Sequence, residues 1–226
     1  MLMSKYLLPA FAIVIGVVIA LVTKKQIVKG TKLLLSFSGA FLLALTLFDL
    51  LPEVYHHLGA MQTGIFIMCG ILLQIVLESL SKGVEHGHAY TFREDKKFPL
   101  VLFVSLCIHS FLEGFPIHHH NDMVLGVLIH KIPIAILMTG FLLQSSYSKA
   151  QIGGFLVVFM AMTPLGTYVS NNGFLATEYI DVVNAVVIGI FIHIATTILF
   201  ETGVSHKFNL SKVVVICFGV FIANLI

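Results

Sequence analysis

Eight long apolar runs, joined by short polar connections, take up most of this 226-residue chain: Leu7–Val22, Leu33–Tyr55, Gln62–Leu80, Phe98–Ile117, Met123–Leu143, Gln151–Ser170, Val182–Glu201 and Val213–Ile226. All but the short last one approach the roughly 20 helical residues that cross about 30 Å of hydrocarbon. Inside a bilayer the backbone must satisfy its own hydrogen bonds, so runs of this length are helices. The fold expected is an all-α membrane protein, a bundle of eight transmembrane helices. With 58% of residues hydrophobic, 11% charged and a mean hydropathy of +1.01, nothing is left for a soluble module, and residues 1–226 read as one polytopic transmembrane domain. Lys5 before the first run resembles a signal peptide, but the run ends in Thr23-Lys24-Lys25 without a small-x-small pattern, so it is read as the first span.

Positive charge is confined to alternate connections. Lys24, Lys25, Lys29, Lys32, Lys82, Arg93, Lys96, Lys97, Lys149, Lys207 and Lys212 are eleven of the 13 Lys and Arg; the opposite side holds only Lys5, and Lys131 sits within a run. By the positive-inside rule both termini face outward and the basic connections are cytoplasmic, as in a multi-pass protein of the cell (inner) membrane. The net charge of +2 gives no reason to expect nucleic acid as a partner; these residues anchor topology at the lipid bilayer. Cys69, Cys107 and Cys217 lie within runs, share no CxxC spacing and read as packing residues.

Ionisable groups at membrane depth are costly and point to function. The second run contains Asp49 and Glu53, followed by His56 and His57. The fourth contains His109 and Glu113 and leads into His118, His119 and His120; the fifth contains His130, Lys131 and Pro133; the seventh contains His193, Thr196 and Thr197 and ends at Glu201. An i to i+4 spacing puts the His109 imidazole and the Glu113 carboxylate on one helix face, and a second helix must bring His130 to them. Three such groups at similar depth need a common compensating partner. Imidazole with carboxylate suits Zn²⁺ and accommodates Fe²⁺ or Mn²⁺, whereas Mg²⁺ and Ca²⁺ prefer oxygen alone. Pro133 has no N–H and releases the Ile129 carbonyl beside His130, and Pro52 and Pro164 act likewise in their own runs. Blander readings hold elsewhere. His193 is expected to bond a neighbouring helix, the triple His to be a solvated loop, and Glu78 and Glu201 to snorkel to water or pair with loop lysines.

The order of these residues resembles one family. His109-Ser-Phe-Leu-Glu113-Gly114 is similar to the HSxxEG or HNxxEG motif in the fourth span of the ZIP family of divalent metal transporters, and His130-Lys131 to the HK form of its fifth-span motif. Asp49-Leu-Leu-Pro-Glu53 resembles HLLPE of the second span, Pro164-Leu-Gly166 the PLG of the sixth and Gly189-Ile-Phe-Ile-His193 the GxFLY of the seventh. The eight runs, the outward termini and the His-bearing connection Glu85-His86-Gly-His88 agree as well. The resemblance covers essentially the whole chain.

It implies an eight-helix bundle with an inverted internal repeat, compatible with a homodimer, that imports a divalent metal. His109, Glu113 and His130 match family ligands. Ile134, Lys131 and Thr163 stand where members that bind two metals carry further ligands, so one metal is expected here, with Lys131 neutralising Glu113 or Asp49 in place of a second cation. The expected function is uptake of a transition metal, Zn²⁺ ahead of Fe²⁺, Mn²⁺ and Cd²⁺. Asp49, Glu53, His56, His57 and the triple His would collect it outside, and His86 and His88 would accept it inside. The metal is cargo, and no enzymatic activity is expected. The competing classes are an intramembrane metal-dependent hydrolase, against which stands the lack of an HExxH motif, and a metal sensor that does not transport.

Overall fold

The structure, a computed structural model, describes residues 2–23, 27–81, 100–118, 121–201 and 210–226. Among these every element is helical: α1 (Leu2–Thr23), α2 (Ile27–Leu45), a π-helical turn (Thr46–Leu50), α3 (Leu51–Leu58), α4 (Ala60–Ser81), α5 (Leu100–Leu112), a 3-10 turn (Pro116–His118), α6 (Asn121–Gln144), α7 (Lys149–Asn171), α8 (Thr177–Glu201) and α9 (Leu210–Ala223). Six stretches are long and apolar enough to cross a membrane: Lys5–Thr23, Gly30–Leu58, Ala60–Leu80, Asp122–Gln144, Lys149–Asn171 and Thr177–Phe200. The fourth and eighth expected runs give shorter apolar helices, Phe103–Leu112 and Leu210–Ala223.

Polarity is arranged inside out, as in a helical membrane protein. Phe11, Val18, Leu72, Val157, Phe200 and Phe218 are each more than half exposed, while His109, Glu113, His130 and Lys131 are at most 1% exposed. Two buried hydroxyls of the second run are satisfied by carbonyls one turn back: Ser36 donates to the Lys32 carbonyl at 3.0 Å and Thr46 to that of Leu42 at 2.7 Å.

The second run is one continuous helical rod interrupted by the π turn. Pro52 has no N–H to offer, and the Leu51 N–H reaches back five residues to the Thr46 carbonyl. One extra residue per turn relieves the proline's clash with the preceding turn and places Asp49 on the widened segment. Pro133, by contrast, lies inside α6 without interrupting it.

Without a hydrophobic force between helices in lipid, packing depends on close approach. α4 and α8 touch at glycines: a Cβ on Gly70 would lie 2.0 Å from the Val186 oxygen, and one on Gly189 2.0 Å from that of Ile67. Ile13, Phe103, Leu106, Ile134, Met138 and Phe159 tie α1, α5, α6 and α7 into one apolar cluster. Phe41, Leu45, Val54, Val124, Ile188 and Phe191 form a second, joining α2, α3, α6 and α8.

Candidate metal site

α5 unwinds at the site itself. The Glu113 N–H still donates to the His109 carbonyl four residues back, at 3.0 Å, but Gly114 and Phe115 reach only three back, to Phe111 and Leu112, each at 3.1 Å. Pro116 has no N–H and disfavours helical backbone at Phe115, so the helix cannot resume. The expected continuous span Phe98–Ile117 is therefore corrected to a helix ending at Leu112.

Carbonyls released by this unwinding need partners, and α7 supplies hydroxyls. Thr163 Oγ1 donates to the Ser110 carbonyl at 2.8 Å, Thr167 Oγ1 to that of Gly114 at 2.9 Å, and Ser170 Oγ to that of Phe115 at 3.1 Å. Residues 163, 167 and 170 share one helix face, so the ladder has a periodic signature in the sequence. Gly114 and Gly166 let the chains meet: a Cβ on Gly166 would lie 1.9 Å from the Phe111 oxygen, and one on Gly114 2.3 Å from that of Thr163. The glycines of two separate motifs thus form one crossing.

His109, Glu113 and His130 converge as expected. Each offers a ligand atom, and these atoms lie within 4.8 Å of one another. His109 Nε2 is 2.5 Å from Glu113 Oε1, and the two imidazole rings stand edge to face with centroids 6.3 Å apart. Tetrahedral zinc with bonds near 2.0–2.1 Å needs ligand atoms about 3.3 Å apart, so small side-chain rotations suffice to close the set on an ion. Among the described residues this is the one group of three or more such side chains.

Lys131 compensates the carboxylate. Its Nζ lies 2.8 Å from Glu113 Oε2, donates to Ser110 Oγ at 2.7 Å and sits 5.0 Å from the centre of the Phe159 ring. Of the two partners expected for it, Glu113 is thus the one it meets. The Glu113 carboxylate and the Lys131 ammonium offset each other's charge, which makes burying the pair tolerable. Pro133 is buried one turn beyond on α6.

The outlying candidates are placed differently. Asp49 and Glu53 are half-buried on the π turn and α3, and His56 and His57 are exposed at the end of α3. His57 Nδ1 lies 3.2 Å from Asp181 Oδ2 of α8, a partner that sequence reading missed. His193 has the interhelical partner expected of it: its Nε2 is 2.6 Å from Glu78 Oε2, which places Glu78 in a helix–helix contact. Cys69, Cys107 and Cys217 are free thiols. His86, His88, His119 and His120 lie outside the described residues.

Compared with models of known protein families the chain finds no match, and compared with proteins of curated function it finds none either.

Proposed function

We propose that this protein carries divalent transition-metal ions, zinc foremost, across the cell (inner) membrane into the cytoplasm. The observation that carries the reading is the convergence of His109, Glu113 and His130, all buried in a helical membrane protein, with their ligand atoms within 4.8 Å of one another. Two imidazole nitrogens and a carboxylate oxygen are a zinc-type donor set. Three protein ligands leave a coordination position open, which suits an ion that must arrive and depart better than one held as a structural element.

The motif order that resembles the ZIP family supports the same reading. In it α5 and α9 are the short members of an eight-span bundle with both termini outside, and the protein is a transporter rather than an enzyme. Asp49, Glu53, His56 and His57 lie along the π turn and α3, towards the end of the bundle where His57 meets Asp181. In this orientation they form the outward approach to the site.

Flux of Zn²⁺ into proteoliposomes containing the purified protein tests the reading. Uptake above that of empty vesicles is expected, falling close to background for His109→Ala, Glu113→Ala and His130→Ala although the proteins remain inserted. Normal uptake by the His109→Ala protein would overturn the assignment.

A further inference from the structure

Ser110 and Thr163 stand outside the His109–Glu113–His130 donor set, yet the Ser110 hydroxyl meets the Lys131 ammonium paired with Glu113, and the Thr163 hydroxyl meets that of Ser110. The Thr163 hydroxyl has a single proton, and it goes to the Ser110 carbonyl at 2.8 Å. The 3.1 Å contact between the two hydroxyl oxygens therefore has Ser110 donating to Thr163. With its proton committed, Ser110 Oγ presents lone pairs to Lys131, whose ammonium donates to it at 2.7 Å. The chain of donors runs one way, from Lys131 to Ser110 to Thr163 and back to the Ser110 backbone. The ammonium is held on its remaining sides by Glu113 Oε2 at 2.8 Å and the Phe159 ring at 5.0 Å.

We propose that Ser110 and Thr163 are positioning residues that pin the Lys131 ammonium on Glu113 Oε2, so that the site takes a single metal ion through the other carboxylate oxygen and holds it weakly enough to release it. This rests on the reading of His109, Glu113 and His130 as the metal site. Oε1 already faces His109 Nε2 at 2.5 Å, so a metal between the imidazoles meets this oxygen while Lys131 keeps the other. A fixed ammonium beside a dication lowers its affinity, and the same charge on Oε2 repels a second cation from the carboxylate.

Equilibrium Zn²⁺ titration of purified protein in detergent, with metal counted per chain, tests the proposal without requiring transport. Wild type should bind one Zn²⁺ per chain more than the His109→Ala protein, whose remaining metal reports the histidines outside the site. Lys131→Met should bind at least about tenfold more tightly, since an opposing buried charge is gone. Ser110→Ala and Thr163→Val should each tighten binding about fivefold, the worth of one buried hydrogen bond, and Thr163→Ser should restore the wild-type value. In the Lys131→Met background Thr163→Val should have no further effect, because it acts through the ammonium. Should Thr163→Val fail to fold, Ser110→Ala carries the test, since it leaves the bond from Thr163 to the backbone in place.

Binding that weakens or stays unchanged in both hydroxyl variants, an equal effect of Thr163→Val with and without Lys131, or two Zn²⁺ per wild-type chain beyond those bound by His109→Ala would overturn the positioning role while leaving the metal site standing. Wild-type protein that binds no more Zn²⁺ than His109→Ala would bring down the metal site and this inference with it.

Discussion

The crossing of α5 and α7 should tolerate no side chain, and Gly166→Ala measures how much depends on it. The added Cβ would lie 1.9 Å from the Phe111 oxygen, whereas carbon and a carbonyl oxygen across a helix interface approach to about 3.3 Å, so the helices must part by about 1.4 Å. Rigid separation would stretch the Thr163, Thr167 and Ser170 contacts, now 2.8, 2.9 and 3.1 Å, beyond hydrogen-bonding reach. Three interhelical bonds at about 0.6 kcal/mol each, plus the strain of an overpacked contact at about 1–3 kcal/mol, give a loss of about 3–5 kcal/mol. Function should suffer more than stability. Thr163 and Glu113 lie on either side of the crossing, and a displacement of about 1 Å in a geometry-dependent site can cost on the order of 100-fold. Thermal unfolding in detergent and Zn²⁺ flux in proteoliposomes read the two effects. Gly153→Ala, on the same helix with nothing within 4 Å of its Cβ, is the control and should match or slightly exceed wild-type stability. A Gly166→Ala protein that behaves like the Gly153→Ala protein in both assays would refute the reasoning.

In competition assays excess Zn²⁺ should suppress uptake of Fe²⁺ and Mn²⁺, with Cd²⁺ competing, because two imidazoles favour zinc over the earlier metals; persistence of Fe²⁺ or Mn²⁺ uptake would reverse the ranking. Glu78→Ala and His193→Ala should each destabilise the protein by about 1–3 kcal/mol, and the double variant by less than their sum, since the pair at 2.6 Å ties α4 to α8; additive losses in unfolding measurements would show that the two do not act together. His57→Ala should change stability by less than about 1 kcal/mol, because the His57 side chain is 48% exposed, but should raise the Zn²⁺ concentration needed for half-maximal uptake. An unchanged half-maximal concentration would remove His57 from the approach to the site.

The sequence by itself determined the class of fold and the core of the site. Long apolar runs dictate helices because lipid offers the backbone no other partner, and the four-residue spacing of His109 and Glu113 places both on one face whatever the helix packs against. Lys131 as a counter-charge was legible for the same reason: a buried ammonium needs a carboxylate, and few are at its depth. The fourth run concealed its own break, because apolar composition does not register the loss of a helical bond, although Gly114 and Pro116 mark the place. Only tertiary structure decided which surfaces meet. It put Thr163 against Ser110, Asp181 beside His57 and Glu78 beside His193, pairs separated by 53, 124 and 115 positions along the chain. Helical periodicity fixes the direction of a side chain around its own axis, but the neighbour is chosen by contacts such as Gly114 with Gly166 and Gly70 with Gly189, where two helices approach closely enough for one to satisfy the other.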